Sequence, residues 1–117
     1  MFLDAAASGR LSLERVVELT ATAPARIFGL AAKGRIEVGA DADLAVVDLD
    51  RTFEIRDEDV IGKIDWTPYA GRMVRGSITT TLVRGRVVFE DGRVTGQPGW
   101  GRQAIPDRAV SHTRGDR

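Results

Sequence analysis

SITTTLVRGRVVFEDGRV, residues 77 to 94, is the stretch whose reading decides the fold class. Ser77 to Arg84 is strongly β-branched and so suits a pleated, half-buried surface. Gly85 turns that run into Val87, Val88 and Phe89, and the pair is the best hairpin signal in the chain. Asp91-Gly92 follows as a second turn of the type hairpins prefer, leading into Val94.

Working outward from the hairpin, the same texture extends upstream. Gly34, Gly39, Gly62, Gly71, Gly76 and Gly96 punctuate short segments, which reads as a β-rich piece with tight turns. Arg35 to Val38 is expected as a short strand. Leu44 to Leu49 is an apolar run bounded by acids, expected as a strand covered on both faces. Thr52 to Ile55 reads as another strand, Asp57 to Asp65 as a polar stretch with a helical turn, and Trp66-Thr67-Pro68-Tyr69 as an ordered loop.

Before Lys33 the grammar is helical, over residues 3 to 30. Ala5, Ala6 and Ala7 are strong helix formers, with Gly9 placed as a stop. Ser12 is an N-cap for the next helix, and Glu14 puts negative charge in its first turn. Leu13, Val16, Val17 and Thr20 form an i, i+3, i+4, i+7 stripe. Pro24 fits the first position of a third, short helix that Gly29 ends. Helices come first and strands second, so the class is α+β and no parallel βαβ sheet is implied. The chain divides into a helical segment at 1–32, a β-rich segment at 33–97 and a polar, disordered tail at 98–117.

Composition excludes several function classes. Seventeen basic side chains balance seventeen acidic ones, and aromatic residues are not interleaved with the basic clusters, so neither nucleic acid nor an anionic membrane is a partner. Apolar runs fall far below the roughly 18 residues of a membrane span, and no export signal opens the chain. Cysteine is absent, which removes disulfides and thiolate ligands. A cytoplasmic protein is expected.

Few residues are candidates for chemistry. Asp41 and Asp43 form a DxD pair that could hold a divalent cation and a nucleotide phosphate, but no phosphate-cradling loop accompanies it. Turn chemistry explains the pair better: with Gly39 they lead into the strand, and Asp48 and Asp50 stop it. His112 is the only histidine and Lys33 and Lys63 the only lysines, so the chain cannot build a histidine-ligated zinc site alone. Trp66 and Tyr69 read as packing or interface residues. Arg72 and Arg75, an anion-site candidate, read instead as a solvated loop. No catalytic, cofactor-binding or metal-binding residue is assigned.

Three stretches together carry a resemblance. LSLERVVELTATAPARIFGL, KGRIEVGADADLAVVDLD and WTPYAGRMVRGSITTTLVRGRVVFEDGRV, in unbroken order over residues 3 to 102, resemble the C-terminal part of cyclic amidohydrolases. That group contains dihydroorotases, allantoinases and hydantoinases, and the closing GQPGWGR looks most like the ends of bacterial dihydroorotases. The resemblance implies a parent with a TIM-type barrel holding zinc or another divalent metal, which activates a hydroxide to attack a ring amide carbonyl. It also implies a small β-sandwich beside the barrel. This chain would supply the last barrel-side helices and the C-terminal strands of that sandwich. The family's HxH pair, bridging lysine and catalytic aspartate have no counterpart here, and the length leaves no room for a barrel of about 200 residues or more. Relatives tend to place a capping residue where Ala23 stands, so the third helix should start about 1 kcal/mol weaker. The expected partner is the missing barrel portion, or a second copy paired through an open sheet edge.

Overall fold

A computed structural model describes residues 1–107 of the 117. His112 lies outside the described residues, as does the second half, residues 108 to 117, of the tail expected to be disordered.

The helical segment begins with α1 (Phe2–Ala7), which Gly9 ends at φ +73°. Ser12 caps α2 (Leu13–Val17): its hydroxyl accepts the Arg15 N–H at 3.1 Å. The expected break before Pro24 is absent. A π turn over Glu18–Thr22 joins α2 to α3 (Ala23–Ile27), and both Thr22 and Ala23 keep right-handed helical angles. The reason is Pro24, which has no N–H to give and whose ring crowds the carbonyl one turn back. Widening the turn relieves that crowding, and the Ala23 N–H donates five residues back, to the Glu18 carbonyl. The helix therefore has no separate start at Ala23, and the expected capping deficit does not arise. Thr22 spends its hydroxyl on the Gly34 carbonyl at 3.1 Å.

Residues 31 to 43 form turns without a strand, so the strand expected at Arg35 to Val38 does not form. Among the described residues no strand lies beside it to take its backbone groups, and Ile36 and Val38 are almost wholly exposed.

One open, wholly antiparallel sheet follows, in the order β1-β2-β3-β4: β1 (Leu44–Glu54), β2 (Met73–Val83), β3 (Arg86–Glu90) and β4 (Arg93–Val94). The two runs expected as separate strands at Leu44 and Thr52 are a single strand. Asp48 does not stop it; its carboxylate accepts the N–H groups of Asp50 at 2.9 Å and Arg51 at 3.1 Å. Those bonds stabilise a bulge in which Leu49 to Arg51 stand opposite Gly76 alone. The β2–β3 turn is built from Arg84 at φ 47° and Gly85 at φ 76°, and the β3–β4 turn from Asp91 at φ 46° and Gly92 at φ 82°. Positive φ at both central residues is what a two-residue hairpin of right-handed twist requires.

α1 docks on β2. The Asp4 carboxylate accepts the Arg75 backbone N–H at 3.1 Å, and Leu3 lies so close to Gly76 that a Cβ there would sit 2.6 Å from the Leu3 Cβ. Gly76, at φ +92°, permits both the approach and the backbone angle.

The core is small. Val16, Ala25 and Val74 are the buried apolar residues among those described. The expectation that β1 is covered on both faces is not met: Val46, Val47, Leu49 and Phe53 are all exposed, as is Ile78 on β2. The layers are helices beside a single sheet; a sandwich needs a second one.

Candidate functional site

The acidic pair at the head of β1 belongs to a cluster of ion pairs and hydrogen bonds. The chain turns at Gly39 and Ala40, and the Asp41 N–H donates to the Ala32 carbonyl at 2.9 Å, folding residues 32 to 41 back on themselves. That closure brings Lys33 against both acids. Its ammonium lies 2.8 Å from Asp41 Oδ2 and also donates to Asp43 Oδ2. The other oxygen of Asp43, Oδ1, accepts the Arg84 backbone N–H at 2.8 Å, and the Ala42 carbonyl accepts the Gly85 N–H at 2.9 Å. Asp43 thus clips the β2–β3 turn to the start of β1, while Lys33 clips the preceding loop to Asp43.

The electrostatics follow from these contacts. Hydrogen bonds to Asp41 and then to Asp43 hold the Lys33 ammonium above the usual lysine range. Burial is the largest single influence on Asp43 and pushes its carboxyl upward. Lys33 and the Arg84 N–H together outweigh it, so the group stays charged to lower pH than an ordinary aspartate.

This arrangement does not fit a divalent cation. An ammonium already occupies the space between Asp41 and Asp43, and Asp43 has both oxygens engaged. Among the described residues, no group of three or more His, Cys, Asp or Glu side chains could hold a metal ion. The acids introduce the strand, as turn chemistry predicts, through a lysine whose part the sequence reading missed. Lys33 stands eight and ten positions before its partners, and only the folded loop makes that spacing a contact.

The other candidates are scattered. Arg72 lies 3.8 Å from Asp4, and Arg75 is paired with Asp50, so both point at carboxylates and not at a shared anion site. Trp66 and Tyr69 are exposed on the loop between β1 and β2. That loop is closed at its base by Ile55 N–H to the Arg72 carbonyl at 2.9 Å and Gly71 N–H to the Ile55 carbonyl at 2.8 Å. Inside it, the Asp57 carboxylate accepts the Thr67 N–H at 2.7 Å beside a single 3-10 turn at Asp57–Asp59.

A second feature went unread in the sequence. Between the helical segment and the sheet runs an apolar cleft of about 1200 Å³, lined among others by Val16, Val17, Phe28, Val47, Phe53 and Ile78. Its charged lining residues, Lys33, Arg35 and Asp43, are taken up in ion pairs within the chain.

Comparison with known proteins assigns this architecture. The amidohydrolase family profile matches residues 4–89. The chain is 44% identical to a dihydroorotase of Methanothermobacter thermautotrophicus over 94 residues, covering 80% of this chain and 22% of that protein. It is 47% identical to an allantoinase of Rubrobacter xylanophilus over 107 residues, covering 91% of this chain and 23% of that protein. A solved D-hydantoinase structure superposes with a TM-score of 0.82 at 36% identity, covering 86% of this chain and 22% of that one. The chain therefore spans less than a quarter of the relatives it matches, and those relatives differ in their named substrates. Helices followed by an open antiparallel sheet, matched along their length by these enzymes, place the chain in the amidohydrolase family, among the cyclic amidohydrolases.

Proposed function

We propose that the chain is the C-terminal segment of a metal-dependent cyclic amidohydrolase, most like dihydroorotase, and that its own part in that enzyme is structural. The parent reaction is hydrolysis, or the reverse closure, of a cyclic amide C–N bond. The observation that carries this reading is the pairing of a short match, 22% of the Methanothermobacter relative, with an unfinished fold. Leucine, valine and phenylalanine side chains of β1 are exposed, and an apolar cleft lies beside it. Leaving that much apolar surface in water is unfavourable by about 25 cal/mol per Å², so the fold asks for a covering layer. In the parent that layer is the barrel and the rest of the sandwich. This segment braces them, and the zinc or other divalent metal is held by residues outside it. We place the parent in the cytoplasm, on a chain without cysteine; among the described residues, no helix is long and apolar enough to cross a membrane.

The test is calorimetric titration of the chain with zinc, paired with assays on dihydroorotate, allantoin and hydantoin. No stoichiometric zinc binding and no turnover are expected. Either one would refute the structural role.

One observation favours a second reading, a non-catalytic module that associates with itself. Among the described residues, β1 is paired on one side only, and an edge of that kind can pair with another strand. Size-exclusion chromatography of the chain distinguishes the two: a dimer whose mass falls when β1 is interrupted by Val46→Pro supports the module, and a monodisperse monomer removes it.

A further inference from the structure

Residues 96 to 107 contain no helix or strand, yet they are fastened at both ends. The strap leaves the sheet at Gly96, whose N–H, with that of Thr95, donates to the Val88 carbonyl at 3.0 and 2.9 Å. A Cβ at Gly96 would stand 2.9 Å from the Val88 Cβ, so the departure is tight. The first catch is Trp100. Its indole Nε1–H donates to the Val83 carbonyl at 2.7 Å, and the Arg84 guanidinium donates to the Trp100 carbonyl. The guanidinium carbons of Arg84 and Arg86 lie 4.6 and 4.1 Å from the centre of the indole ring, within cation–π range. The second catch is Asp107. Its N–H donates to the Gly29 carbonyl at 2.9 Å, and its carboxylate accepts the Ala31 N–H at 3.3 Å, just past the end of α3.

We propose that this segment is a latch: Trp100 and Asp107 hold the end of α3 to the β2–β3 hairpin, and each catch keeps the other closed. The coupling follows from the geometry. Only the residues from 101 to 106 separate the catches, so closing one holds the other's donor and acceptor at a high effective concentration. Releasing Trp100 leaves Asp107 at the end of a free strand of chain. Between the catches the strap and the loop at 30 to 41 wall a cleft of about 480 Å³ that includes Lys33, Arg35 and Asp41.

Hydrogen exchange in the full chain tests this. Trp100→Ala should accelerate exchange of the Asp107 and Ala31 amides by about tenfold or more, the equivalent of losing one hydrogen bond and its stacking. The β2 amides over Met73–Val83 should keep their protection, which separates opening of the latch from failure to fold. Arg86→Gln, which removes one face of the stack, should give about a two- to fivefold acceleration at the same amides. In the reverse direction, Asp107→Pro, which removes both the N–H and the carboxylate of the second catch, should raise acrylamide quenching of Trp100 in a Trp66→Phe background. Asp107 exchange unchanged within about twofold in Trp100→Ala, with β2 still protected, would overturn the coupling. So would Trp100 quenching that ignores Asp107.

Discussion

Gly76→Ala tests how the helices are set against the sheet. Gly76 sits in β2 at φ +92°, where an L side chain costs about 1–2 kcal/mol. The new Cβ would lie 2.6 Å from the Leu3 Cβ, against a carbon–carbon contact distance of about 3.5–4.0 Å. α1 must therefore retreat by about 1 Å, an overpacking cost of about 1–3 kcal/mol, and the sum is about 2–5 kcal/mol. Retreat also draws Asp4 away from the Arg75 N–H. Gly9→Ala is the control, because Gly9 shares the positive φ, at +73°, but has nothing within 4 Å of the position of a Cβ. It should cost only the backbone part, about 1–2 kcal/mol. Urea denaturation gives both values, and hydrogen exchange at the Arg75 amide reports whether α1 has lifted. Equal losses for the two substitutions, with the Arg75 amide still protected, would refute the close-approach argument.

Lys33→Met should destabilise the chain by about 1 kcal/mol or less, because all three members of the clamp are partly exposed. Its pH signature is sharper. Asp43's lowered pKa contributes stability above the unfolded aspartate value of about 3.9 that is lost as pH falls through the folded value. Lys33's raised pKa contributes stability below the unfolded lysine value of about 10.4 that is lost as pH rises through the folded value. Denaturation midpoints measured across pH should show Lys33→Met flattening both limbs, and unchanged limbs would remove the clamp. Asp48→Ala leaves the N–H groups of Asp50 and Arg51 without their side-chain acceptor and should cost about 1–2 kcal/mol by urea denaturation. Trp66→Ala, at a side chain exposed on its loop, should change the stability of the chain by no more than about 0.5 kcal/mol, measured the same way.

What was legible in the sequence is what short-range chemistry decides. Ser12 could be read as a cap because its partner is three residues away, and the turns at Gly85 and Asp91-Gly92 because glycine, and aspartate less readily, tolerate positive φ; the positive φ of Arg84, read as the end of a strand, carried no such signal. The order of helices then strands follows from periodicity. Features set by distant neighbours were not legible. An aspartate that ends a strand and one that stabilises a bulge look alike locally; only the length of β2 opposite Asp48 tells them apart. Arg35 to Val38 has strand-like composition, but a strand exists only beside another. Pro24 was read as a helix start because the rule for proline describes regular helices, and the π turn before it evades the rule. The Lys33 clamp and the Trp100 catch join residues eight to seventeen positions apart through turns whose closure no local signal announces.

If the segment braces an enzyme whose chemistry resides elsewhere, as proposed, it should be exchangeable for its counterpart in a relative, and a chimera measures this. Residues 4–89 would replace the matching segment of the Methanothermobacter dihydroorotase, with dihydroorotate turnover measured on the metal-loaded product. The structural account predicts turnover within about tenfold of the host enzyme, a barrier change of about 1.4 kcal/mol. A folded, metal-loaded chimera whose turnover falls by about a thousandfold or more would contradict it, because the segment exchanged would then carry groups that the reaction needs.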